Sequence, residues 1–141
     1  MKQTLLIVIA AVFFACSEKV TEVEIDKVEG TYILKTVNGS VLPYTVLQDG
    51  SSGVIIKMQV SAGSVIITAT GSATVSTTLQ MVVNGVISQT QTETEQREFK
   101  LDGTKWSYNN NLGVTGSVSG GTLTIVDKTA GSPELTLVYN R

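Results

Sequence analysis

The chain has no histidine, a single cysteine, two prolines and no basic run, and each scarcity narrows what the protein does. Without histidine it lacks the commonest general base and the commonest zinc ligand together. One cysteine forms no disulfide within the chain. Lysines and arginines are isolated and the net charge is −2. Nucleic-acid binding needs a basic face that neutralises phosphates, so a nucleic-acid partner is not expected. Charged residues are only 16% of the 141 and apolar residues 42%, the balance of a globular chain rather than a disordered one. That length gives one domain and a short leader, with a core that stands without disulfides or metal. Abundant Val, Ile and Thr, punctuated by 13 glycines, favour strands and tight turns over helices.

Lys2 precedes an uninterrupted apolar run, Leu5–Ala15. As a helix it spans about 16 Å, roughly half of the ~30 Å hydrocarbon core, which suits the apolar region of an export signal and not a membrane anchor. Cys16 and Ser17 follow immediately. This junction resembles the lipobox of bacterial lipoproteins, whose cysteine is acylated, with palmitate among its chains, and becomes the new N-terminus. Ala15 fits the small residue before the cysteine, while Phe13 and Phe14 stand where Leu and a small residue are usual. The resemblance implies a signal peptide over 1–15, lipidation of Cys16, and a bacterial cell-envelope location held by lipid to one membrane leaflet or another. The alternative is an ordinary secretory signal cleaved near Ala15, leaving a free thiol. Several acyl chains anchor stably where one holds only marginally. Residues 16–29 then read as the lipidated cysteine and a charged tether, with Glu18, Lys19, Glu22, Glu24, Asp26, Lys27 and Glu29 solvated.

From residue 30 to 141 the hydrophobic period is mostly two, the pattern of an antiparallel sheet with one buried face. Strands are expected near 31–37, 54–60, 65–70, 73–83, 86–99, 104–109, 113–118, 122–127 and 134–140, parted by turn signals such as Asn38-Gly39, Ala62-Gly63, Asn84-Gly85 and Gly120-Gly121. The fold class is all-β, an antiparallel meander closing into an eight- to nine-stranded barrel, with a β-sandwich as the alternative. A two-residue turn at Asn84-Gly85 pairs Val83 with Val86, Met81 with Ser88, Leu79 with Thr90 and Thr77 with Thr92. That register sends Glu93 and Glu95 to the wet outer face. The apolar residues of 38–53, among them Leu42, Val46 and Leu47, suggest a loop folded over the core or the barrel mouth.

Several short motifs resemble those of lipocalin-like domains in small bacterial envelope lipoproteins. Gly30-Thr31-Tyr32 is similar to the lipocalin G-x-W with Tyr in place of Trp. Thr36-Val37-Asn38-Gly39 with Leu42-Pro43, the run Leu101–Trp106, and Gly121–Ile125 resemble later elements of such domains. The likeness implies a lipocalin-like barrel over 30–141, and carries no fixed set of ligand contacts onto this chain.

Aromatics are 6% of the residues, and Phe13 and Phe14 are spent in the leader. The candidates for lining a cavity are therefore Thr77, Leu79, Met81, Trp106, Tyr108 and Tyr139. Glu93 and Glu95 lie about 7 Å apart on one strand face, close to a glycosidase carboxylate pair, but the reading preferred is a solvated strand. The plentiful serines and threonines lack an activating base, Gly120-Gly121 lacks the lysine and helix of a phosphate loop, and oxygen ligands for calcium do not cluster. No catalytic residue, metal site or cofactor is expected. The sequence thus predicts a non-catalytic structural or interaction module tethered at a membrane and contacting another envelope protein. The alternative is a carrier for a small hydrophobic or amphipathic ligand in the barrel.

Overall fold

A computed structural model describes residues 27–141 except 52, 103, 104 and 111. The leader, Cys16 and most of the tether lie outside the described residues. Period-two alternation becomes eleven strands: β1 Gly30–Val37, β2 Ser40–Val41, β3 Tyr44–Asp49, β4 Ile56–Ile67, β5 Ser72–Val83, β6 Val86–Glu98, β7 Lys100–Asp102, β8 Lys105–Asn109, β9 Val114–Ser119, β10 Thr122–Asp127 and β11 Leu135–Asn140. Every pairing is antiparallel. One sheet runs β6-β5-β4-β1-β11-β10-β9-β8-β7, with β2 added on β1 and β3 on β4. It is an open half-barrel whose free edges are β6 and β7.

Three expectations change. Residues 54–60 and 65–70 do not form separate strands, because Ala62-Gly63 is not a turn. β4 runs through it with a bulge between Val60 and Ala62, and the missing side chain of Gly63 admits Leu34, whose Cδ2 lies 3.0 Å from where a Cβ would stand. The apolar residues of 38–53 do lie over the core, through Leu42, Tyr44 and Val46, but in and between the strands β2 and β3 and not as a loop. Asn38 and Gly39, both at positive φ, turn the chain back onto β1, and β3 then pairs with the Ile56–Val60 half of β4. The expected register of the Asn84-Gly85 hairpin holds only at its tip. Val83 pairs with Val86 and Val82 with Ile87, but Met81 pairs with Gln89, leaving Ser88 bulged, its hydroxyl donating to the Met81 carbonyl at 3.3 Å.

One extra residue inverts every side chain beyond it. The apolar face of β5 therefore meets Gln91, Glu93, Glu95 and Arg97, opposite Leu79, Thr77, Val75 and Ala73, while Thr90, Thr92, Thr94 and Gln96 take the other face. There Thr78–Thr92 and Thr74–Gln96 hydrogen bonds, at 3.0 and 3.1 Å, tie the strands.

The core is built mostly from β-branched residues and Leu, as the aromatic scarcity requires: Val37, Val65, Ile67, Val75, Val118, Leu123 and Ile125 are buried, with Tyr32, Phe99 and Tyr139 as the bulky members. Burying each such side chain contributes about 1.5–3 kcal/mol. One end of the sheet is tied by polar groups. The buried Tyr32 hydroxyl donates to the Val28 carbonyl at 2.7 Å. Arg141 lies over the Tyr32 ring, 5.8 Å from its centroid, and donates to the carbonyls of Lys27 and Glu29 at 3.1 and 2.9 Å.

The two free edges are consecutive in the chain, joined by Phe99 alone. Phe99 is buried, its amide donates to the Gly71 carbonyl at 2.8 Å, and its ring lies 5.7 Å from that of Tyr108. A Cβ on Gly71 would stand 2.2 Å from the Phe99 carbonyl oxygen and 2.8 Å from the Trp106 ring. Both edges of the sheet are thus drawn together at this corner, and only glycine fits there.

Candidate functional site

Residues of β3, β4, β5, β6, β10 and β11 enclose a cavity of about 400 Å³. This lies within the usual range of ligand sites, roughly 300–1,000 Å³. Its floor follows from strand alternation: Val60, Val75, Ile125, Leu137 and Tyr139 are core residues that also line it. β3 contributes Val46 and Leu47, and Leu47 and Met58 at the mouth are 53% and 41% exposed. The facing wall is polar, with Glu93, Glu95 and Arg97 from β6, Thr77 from β5 and Asp127 from β10.

Arg97 organises the deep end of that wall. Its side chain is 11% exposed and Nη2 pairs with a carboxylate oxygen of Glu95. The guanidinium carbon stands 5.2 Å from the centroid of the Tyr108 ring, a cation–π contact that offsets part of its desolvation. Nε and Nη1 are buried and have no acceptor. Tyr139 is pushed up to about 12 by burial, against the pull of the Arg97 charge and with a push from Glu95. It presents a protonated phenol at neutral pH. Asp127 accepts the Thr129 amide at 2.9 Å, which fixes its carboxylate at the β10 end of the site. Among the described residues no three Asp, Glu, His or Cys side chains converge to hold a metal ion.

The structure distributes the sequence candidates over two places. Thr77, Leu79 and Tyr139 line the cavity. Met81 lies in an adjoining groove of about 160 Å³, bounded also by Met58, Leu79 and Glu93, that continues the site along the hairpin. Trp106 and Tyr108 are half-buried at the Phe99 corner, Trp106 against Gly71 and Tyr108 between Phe99 and Arg97. Cys16 lies outside the described residues. Sequence reasoning missed Arg97 and Asp127 as members of the site and put Glu93 and Glu95 on the wet outer face. The signal for a shared face was present in the alternation Gln89, Gln91, Glu93, Glu95, Arg97; the bulge that aims this face inward was not.

No family model, no curated protein and no solved structure matches this chain.

Proposed function

We propose that this protein is a lipid-anchored binding module of the bacterial cell envelope that takes a small amphipathic molecule into its cavity, without catalysis. The observation that carries this reading is the cavity itself, with an apolar floor and one polar wall. An open cavity with this combination of lining suits a molecule with an apolar body and a polar end. The lipocalin-like resemblance fits the same reading, and the meeting of the sheet's edges at Phe99 supports a barrel closed at that corner and open at the Leu47–Met58 mouth. The site candidates Thr77, Leu79 and Tyr139 hold the apolar body of the ligand, and Met81 extends the floor toward the hairpin. The lipobox-like Cys16 supplies the anchor.

Native mass spectrometry of the protein taken from its own envelope tests the binding role. A small amphipathic species is expected on the wild type and absent from Val75→Trp, whose indole fills the floor. A bare wild-type chain that also takes up no amphiphile in calorimetric titration overturns the reading. For the anchor, Cys16→Ala is expected to move the protein from the membrane to the soluble fraction.

A second reading, an interaction module contacting another envelope protein, draws on one observation. Val54, Ile55, Ile56, Val86 and Ile87 are exposed together at the tip of the long hairpins, where Asn84 and Ile55 exchange hydrogen bonds of 2.8 and 2.9 Å that hold the tip in shape. Apolar surface of this kind on a soluble face marks a contact site. Loss of an envelope crosslink in Ile87→Glu is the outcome this reading expects.

A further inference from the structure

We infer that the cavity selects an amphipathic cation, an amine or quaternary ammonium group carried on an apolar chain. The inference rests on the binding reading above and specifies its ligand.

The wall that β6 and β10 present to the cavity holds three carboxylates, Glu93, Glu95 and Asp127, against one guanidinium, Arg97. That guanidinium is largely covered, its side chain being 11% exposed. Nη2 is paired with Glu95, its face covers Tyr108, and Nε and Nη1 are buried with no hydrogen-bond partner. Lys128, which follows β10, forms an exposed ion pair with Glu134 at 3.0 Å. An anionic head group entering the mouth therefore meets one covered, carboxylate-paired guanidinium and two uncommitted carboxylates. Glu93 has no ion-pair partner among the described residues, and Asp127 accepts only from the Thr129 backbone amide there. A cationic head meets the reverse. Its positive charge is balanced along the wall while its chain lies on Val75, Leu79 and Leu137.

The spacing of the carboxylates also selects the kind of cation. Because no three of them converge on one point, the wall does not coordinate a compact metal ion. It suits a bulky organic cation whose charge is spread over several substituents. Such a head group is weakly hydrated and loses little on leaving water, whereas its chain gains by burial against the apolar floor.

Calorimetric titration of the purified protein with decyltrimethylammonium, decanol and decanoate, each below its micelle concentration, tests the inference. The cation is expected to bind most tightly and decanoate least. Glu93→Gln and Asp127→Asn should each weaken the cation by about three- to five-fold, the scale of a solvent-screened charge pair, and leave decanol unchanged. Added salt should weaken the cation alone. Arg97→Met, which deletes the opposing charge, should tighten it. Melting curves recorded for each variant confirm that it is folded. Decanol or decanoate binding as tightly as the cation overturns the charge selection while the binding role stands. If none of the three binds, the binding role falls, and this inference with it.

Discussion

Gly71 and Gly85 have nearly the same backbone angle, φ +89° and +85°, yet different surroundings, so replacing each by alanine separates strain from contact. At Gly85 the new Cβ meets nothing within 4 Å. The expected loss is the left-handed conformation alone, about 1–2 kcal/mol for an L-residue. At Gly71 the same cost applies, and the Cβ also stands 2.2 Å from the Phe99 carbonyl oxygen. Relieving that overlap takes a shift of about an ångström between chain segments now joined by a 2.8 Å hydrogen bond from the Phe99 amide to the Gly71 carbonyl. Losing the bond costs about 0.5–1.5 kcal/mol. Phe99 is 1% exposed, and loosening it forfeits part of a burial worth about 1.5–3 kcal/mol. Gly71→Ala is therefore expected to cost about 2–6 kcal/mol, a large share of the roughly 5–15 kcal/mol available to a domain. Urea unfolding followed by Trp106 fluorescence, which reports on this same corner, gives both values. Equal losses in the two variants, within about 0.5 kcal/mol, would refute the view that the sheet's two edges are locked together at Phe99.

Tyr139 makes stability sensitive to alkali. Its folded value of about 12 exceeds the usual 10, so between these the unfolded chain binds fewer protons. Stability from this group is complete below pH 10 and is lost as pH rises through 12, by about 2–3 kcal/mol. Tyr139→Phe is expected to flatten that part of the pH–stability curve, and an unchanged slope would contradict the burial argument. Arg97→Met removes a buried guanidinium with two unsatisfied nitrogens and leaves Glu95 free to hydrate. Its stability in urea is expected to stay within about 1 kcal/mol of wild type or to rise, and a loss above about 3 kcal/mol would mean that the pair holds the fold. Asn84→Ala, at φ 49° and deprived of the acceptor for the Ile55 amide, is expected to cost about 1–3 kcal/mol. The Ile55 amide should then exchange faster with solvent.

Much of the architecture was legible because strand alternation is a local property. The expected strands 31–37, 73–83, 86–99, 104–109, 113–118, 122–127 and 134–140 correspond to β1, β5, β6, β8, β9, β10 and β11. Failures came where a distant contact decides a local conformation. Ala62-Gly63 has the composition of a turn, but Gly63 is there to admit Leu34 from β1. Tyr44–Asp49 is short and poorly alternating, and becomes a strand because the outer half of β4 offers it a ladder. Ser88 looks like its polar neighbours, and nothing local marks it as the extra residue of a bulge. That one residue hid the charged wall: Glu93 and Glu95 were recognised as a pair on a common face, but the face itself was inverted. Tyr139 was legible as an inward residue of the last strand. Trp106 and Tyr108 face inward too, toward the corner that Phe99 builds.

The position of β1 determines how the fold carries mechanical load. The chain enters at Gly30, and from there β1 runs between β4 on one side and β11 on the other. Tension on the segment before Gly30 is directed along this interior strand, so the flanking ladders resist it in shear, many hydrogen bonds at a time. An edge strand pulled at its end would instead unzip one bond after another. Arg141 adds a cross-stitch at the same point, gripping the carbonyls of Lys27 and Glu29 from the other end of the chain. Tension on that segment would load a strand held from both sides, leaving the cavity wall formed by edge strand β6 outside the line of force.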